Sequence, residues 1–90
     1  MSTVVSEEEI LGRLTAYVRD HLLDETYTGS ELTETTPLLQ LGILNSLNTG
    51  RLLAFITEEF GVTVPATRIT GKYLADLERI TALVAELMAG

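Results

Sequence analysis

Ninety residues with a formal charge of −7 and a sequence pI near 4.4 leave room for one small acidic domain, residues 1–90, and argue against the basic surface that nucleic-acid binders need. The absence of cysteine excludes disulfides, thiolate metal sites and cysteine nucleophiles. Apolar residues make up 46% of the chain, enough for a core, yet no apolar run approaches the roughly 18–20 residues that cross a bilayer.

Residues 1–5 read as a loose terminus. Met1 is followed by polar residues and three glutamates rather than by a basic segment and an apolar run. No secretory signal is expected, and the expected location is the cytoplasm. Ser6 and Glu9 have capping-box spacing, with Val5 and Ile10 placed as a hydrophobic staple. Glu7, Glu8 and Glu9 suit the positive end of a helix dipole. Ile10, Leu11, Leu14, Tyr17, Val18 and Leu22 recur every three or four residues. The first helix is therefore predicted over Glu7 to Leu23. His21, the only histidine, lies beside that stripe without a visible partner and reads as structural.

Asp24 to Thr36 is polar and reads as a long loop. Pro37 to Gly42 suits a short helical turn, with Pro at its first position and Gly at its end. Leu38, Leu39 and Leu41 are expected to anchor the loop to the core. Asn45 is a preferred N-cap type ahead of the strongest helical pattern, Ser46 to Phe60. Leu52, Leu53, Ile56 and Phe60 form its apolar stripe, and Gly61 closes it. Gly50 stands inside this helix at a cost of up to about 1 kcal/mol relative to Ala. Such a glycine is either tolerated or permits close approach of a partner. Val62 to Pro65 is extended. Thr70 is a candidate cap for a turn over Gly71 to Leu74, and Asp76 for a last helix over Leu77 to Met88. Leu77, Ile80, Leu83, Val84 and Leu87 are that helix's buried face.

These elements predict an all-α fold: a small antiparallel bundle of three main helices plus a short helical turn, with a long first loop. Ser46 falls in the first turn of the middle helix, where backbone amides favour a phosphate. A serine so placed is commonly a cap or a solvated residue. An activated nucleophilic serine also needs a base and an orienting group. His21 lies on another helix, and no metal-ligand or paired-carboxylate pattern is present. Catalysis by this chain is therefore not expected.

The run Leu41-Gly42-Ile43-Leu44-Asn45-Ser46-Leu47, followed by Phe60-Gly61-Val62-Thr63-Val64-Pro65, resembles the acyl/peptidyl carrier protein family. That family shows Leu-Gly, two residues, Asp-Ser-Leu, then a helix ending in Phe-Gly before Ile/Val-Pro. The resemblance covers about Thr36 to Val84. It implies that 4′-phosphopantetheine from coenzyme A is joined to Ser46 by a phosphopantetheinyl transferase. It also implies that the arm carries an acyl or aminoacyl thioester to loading enzymes (adenylation or acyltransferase) and processing enzymes. Partner recognition is expected at Asn45, Leu47, Gly50, Arg51 and Ala54. Neither nucleic acid nor membrane is an expected partner, and the chain is expected to be a monomer.

Asn45 stands where many relatives have Asp. Asn48 and Arg51 stand where the fatty-acid branch has an acidic helix. Ile69-Thr70 and Leu77-Glu78-Arg79-Ile80-Thr81-Ala82-Leu83-Val84 also resemble the end of peptidyl carrier domains, and together these features lean toward a free-standing carrier of polyketide or nonribosomal peptide biosynthesis. The alternatives are an unmodified acidic helical adaptor and a fatty-acid-synthesis carrier. A serine hydrolase ranks below both.

Overall fold

A computed structural model describes residues 6–23 and 32–89. Helix α1 spans Glu7–Tyr17 and widens into one π turn over Val18–Leu22; α2 spans Ser46–Phe60, α3 Gly71–Leu74 and α4 Leu77–Ala89, with a 3-10 turn at Ala66–Arg68 before α3. No strand occurs among the described residues. The predicted all-α architecture is the observed one.

Local chemistry sets most helix ends. The Ser6 hydroxyl accepts from the Glu9 amide at 3.2 Å, capping α1. The reciprocal half of the expected capping box does not form, because the Glu9 carboxylate turns outward to Arg13 at 2.6 Å. Val5, the other half of the staple, lies outside the described residues. Asn45 caps α2 through its side-chain oxygen, 2.8 Å from the Asn48 amide. Gly61 ends α2 at φ 72°, in the left-handed region, with its amide bonded to the Thr57 carbonyl at 3.0 Å. Asp76 caps α4, its Oδ1 accepting from the Arg79 amide at 2.8 Å. Thr70 supplies no side-chain cap to α3; its carbonyl instead accepts from Tyr73 and Leu74.

Two segments differ from the sequence expectation. The first helix does not run as α to Leu23. The Leu23 amide bonds back five residues to Val18 at 3.1 Å, and this wider turn still keeps Val18 and Leu22 in the core at 0% and 5% exposure. Pro37 to Gly42 forms turns rather than a helix. Leu41 donates to the Pro37 carbonyl and Gly42 to the Leu39 carbonyl, and Gly42 at φ 76° redirects the chain.

The core is one cluster. Ile10, Leu14 and Val18 of α1, Leu52 and Ile56 of α2, and Leu77, Ile80 and Val84 of α4 are fully buried, and Leu83 is nearly so. Leu53 and Leu87 are only half-buried at its edge. α1 packs most extensively on α4. α1 and α2 run antiparallel along a ladder of long-range contacts. Arg13 pairs with Glu59 at 3.1 Å, Tyr17 stacks on Phe55 with centroids 4.2 Å apart, and Leu22 meets Asn48. Burial of each large apolar side chain contributes roughly 1.5–3 kcal/mol before entropy is charged.

Of the three leucines expected to anchor the loop, only Leu38 does so, at 0% exposure. Its amide donates to the Ala75 carbonyl at 2.9 Å, and its carbonyl accepts from Leu44 at 3.1 Å. Leu39 and Leu41 point outward. The turn at Leu38 lets one side chain in three reach the interior, and Ile43 and Leu44 fill the space that remains.

Candidate functional site

The approach to Ser46 begins at Gly42. After its left-handed turn, Ile43 and Leu44 are driven into the core at 4% exposure each. Two adjacent buried side chains anchor the backbone just before the helix, so Asn45 and Ser46 emerge at the surface, both exposed. Ser46 is the first residue of α2. The Asn45 cap engages the Asn48 amide, leaving the amides of Ser46 and Leu47 without an acceptor among the described residues. No acidic residue stands in the first turn. The positive end of the α2 dipole is therefore not offset by a carboxylate of its own first turn.

Sequence reasoning missed a structural role for Asn48. Its side-chain amide donates to the Ile43 carbonyl at 2.9 Å and reaches the Leu22 carbonyl at 3.5 Å. One side chain thus ties the loop before Ser46, the first turn of α2 and the end of α1 together. The asparagine type was the available signal, but its acceptors come from segments 5 and 26 residues away.

The expected recognition residues share one face. Leu47, Gly50, Arg51 and Ala54 follow i, i+3, i+4, i+7 spacing, and all are exposed, Leu47 at 65%. A Cβ placed on Gly50 meets nothing within 4 Å, so no neighbour inside the chain requires glycine there. Asn45 sits at the head of this face. Leu39, Leu41 and Ile69 add further exposed apolar surface outside α2. The Leu39 side chain lies 3.5 Å from where a Gly71 Cβ would stand, joining the loop to α3.

His21 is exposed and its ring contacts Tyr17, with centroids 5.0 Å apart; no hydrogen bond joins it to Ser46. No cluster of metal-ligating residues occurs among the described residues. A shallow cavity of about 300 Å³ is lined by Glu7, Glu8, Leu11, Glu34, Glu78 and Thr81, and shares no residue with the Ser46 region. No described helix is long and apolar enough to cross a membrane.

This arrangement suits a covalently added phosphate ester. It offers an exposed primary hydroxyl with no hydrogen-bond partner of its own among the described residues, two open amides and a carboxylate-free helix start. Comparison with known proteins agrees. The family model described as "Phosphopantetheine attachment site" matches residues 16–87. A comparison with curated protein sequences finds no match. A chain in a solved structure described as "Crystal structure of FAD-dependent dehydrogenase" is similar at 33% identity and a TM-score of 0.74, covering 80% of this chain and 99% of that one.

Proposed function

This chain belongs to the phosphopantetheine attachment-site family, whose prosthetic group is covalent 4′-phosphopantetheine, and from that premise we propose that it is a non-catalytic carrier modified at Ser46. The observation that carries the reading is the exposure of Ser46 at the first position of α2, on a loop held by buried Ile43 and Leu44.

The chain's own part in the modification is to offer a nucleophile in a fixed place. The Ser46 oxygen replaces the nucleoside bisphosphate portion of coenzyme A on the pantetheine phosphate, and the serine proton leaves to the transferase. Magnesium and the base are supplied by that enzyme. Asn45 and Asn48 hold the turn that bears the hydroxyl, which limits its conformational freedom before encounter. The open amides of Ser46 and Leu47 favour the phosphodiester once formed. When attached, the group supplies a terminal thiol that holds an acyl or aminoacyl cargo as a thioester. Tethering then raises the cargo's effective concentration at whichever partner is docked.

The cargo is that of a polyketide or nonribosomal peptide pathway. The support is the stretch from Thr35 to Thr57, which contains no acidic residue, in place of the acidic helix of the fatty-acid branch. Partners are a phosphopantetheinyl transferase, a loading adenylation enzyme or acyltransferase, and processing enzymes. The similarity to a chain in a structure described as an FAD-dependent dehydrogenase adds a flavin-dependent oxidation of the tethered cargo to the candidate processing steps. The carrier acts as a monomer in the cytoplasm.

The test is incubation of the apo protein with coenzyme A, magnesium and a broad-specificity transferase, read by intact mass. One phosphopantetheine is expected on the wild type and none on Ser46→Ala. A mass gain that survives Ser46→Ala rejects Ser46 as the attachment point.

A further inference from the structure

The charges of this protein are unevenly placed. Residues 35–57 and 60–75 hold no Asp or Glu, although the chain carries 13 acidic residues. These segments supply the loop before Ser46, most of α2 and all of α3. Their basic residues are Arg51, Arg68 and Lys72.

Ion pairing separates these cations further. Arg13 pairs with Glu9 and Glu59, Arg19 with Asp20, Arg68 with Glu86, and Arg79 with Asp76. Arg51 and Lys72 pair with no carboxylate among the described residues, and Lys72 only approaches the Tyr73 ring, 5.5 Å from its centroid. Arg51 lies one turn beyond Leu47 on the exposed face of α2. Lys72 follows Gly71, the residue against which Leu39 rests. Arg51, unpaired among the described residues, therefore shares the exposed face of α2 with Leu47, while Lys72 stands on α3 next to the glycine that Leu39 meets.

Resting on the reading of Ser46 as the attachment point, we propose that the exposed α2 face of Leu47 and Arg51 docks a protein surface that is apolar at its centre and carries carboxylates at its edge. The partner is thus acidic where it touches the carrier, although the carrier's net charge is −7. Physiological salt screens exposed charges beyond about 8 Å, so carboxylates remote from the face steer a partner weakly at contact distance. At contact, a basic partner sets its cations against Arg51 with no carboxylate of α2's first three turns to meet them. Such like-charge juxtaposition excludes wrong partners. A carboxylate-edged partner instead neutralises Arg51 while burying Leu47.

The experiment uses the full apo chain, coenzyme A and two phosphopantetheinyl transferases. One is chosen with an acidic surface around its coenzyme A pocket and the other with a basic one. KM for the carrier is measured by intact mass across a sodium chloride series. The acidic-faced enzyme is expected to show the lower KM by about fivefold at low salt, with the difference shrinking as salt rises. Arg51→Glu removes that advantage and Arg51→Lys retains it, with unchanged helical circular dichroism in both. Equal KM values, or a lower KM for the basic-faced enzyme, overturn the docking proposal while leaving attachment at Ser46 intact. No mass gain with either enzyme overturns the attachment reading, and the docking proposal with it.

Discussion

The side-chain amide of Asn48 donates to the backbone carbonyl of Ile43 at 2.9 Å, across the residue that carries the candidate attachment hydroxyl. This bond closes the loop onto the helix it precedes. A hydrogen bond from a half-buried amide is worth about 0.5–1.5 kcal/mol, and an orphaned carbonyl costs about 1–3 kcal/mol. Asn48→Ala is therefore expected to lower stability by about 1–2 kcal/mol in urea denaturation. It should also slow modification of Ser46 by the transferase. Asn48→Asp keeps the size but loses both donated protons, so it should not rescue either property.

Asn45 does through a neutral oxygen what Asp does through a charged one. Asn45→Ala removes the cap and is expected to cost about 1 kcal/mol. Asn45→Asp keeps the acceptor and adds a negative charge at the positive end of α2, so its stability should equal or slightly exceed that of the parent. Thermal melts of the three proteins check the order.

The three leucines of the Pro37–Gly42 turn separate cleanly by burial. Leu38 is fully buried, while Leu39 and Leu41 are 38% and 41% exposed. Leu38→Ala is expected to destabilise by about 2–4 kcal/mol, through lost transfer energy and the cavity left behind. Leu39→Ala and Leu41→Ala should stay within about 0.5 kcal/mol, as surface changes do. Chemical denaturation distinguishes the two classes, and KM for a docking partner should rise only in the second.

Gly61 and Gly50 sit in one helix segment yet predict opposite signs. Gly61 holds φ 72°, where a Cβ is strained, so Gly61→Ala is expected to cost about 1 kcal/mol. Gly50 lies within α2 with open space around it, so Gly50→Ala is expected to stabilise by up to about 1 kcal/mol. Melting temperatures should move in opposite directions.

Arg68 grips Glu86 with two bonds of 2.9 Å, joining the 3-10 turn to α4. The bond from Arg68, and then its charge, hold the Glu86 carboxyl below the usual carboxylate range. A carboxyl depressed in the folded state contributes stability above its unfolded pKa and loses it as pH falls through the folded one. Stability should therefore fall in acid below the ordinary glutamate range. Glu86→Gln should show a shallower acid limb in pH-dependent melts, with a small effect because Glu86 is exposed and Arg68 only partly covered.

The helix ends at Ser6, Asn45, Gly61 and Asp76 were readable from the chain because each signal acts within one turn. A cap side chain meets an amide three residues on, and a glycine reaches the left-handed region without help from distant residues. The apolar spacing likewise named the core residues of α1, α2 and α4, but not Ile43, Leu44, Val64 and Leu74 between them. The regular α1 was expected to continue through Leu23, since its apolar spacing carries no mark of the wider turn that follows Tyr17. The choice of Leu38 over Leu39 and Leu41 was equally hidden, because three neighbouring leucines have the same local chemistry.

By itself, the sequence determined the helices, the apolar faces and the place of Ser46 at the head of α2, all consequences of contacts within a few residues. Only the tertiary structure decided that Asn48 clasps Ile43 and Leu22, that Arg13 meets Glu59, and that Arg51 is left without a carboxylate among the described residues. Those outcomes depend on which surfaces face one another once α1, α2 and α4 share a core. Packing geometry sets that choice, and side chains separated by tens of residues acquire their partners from it.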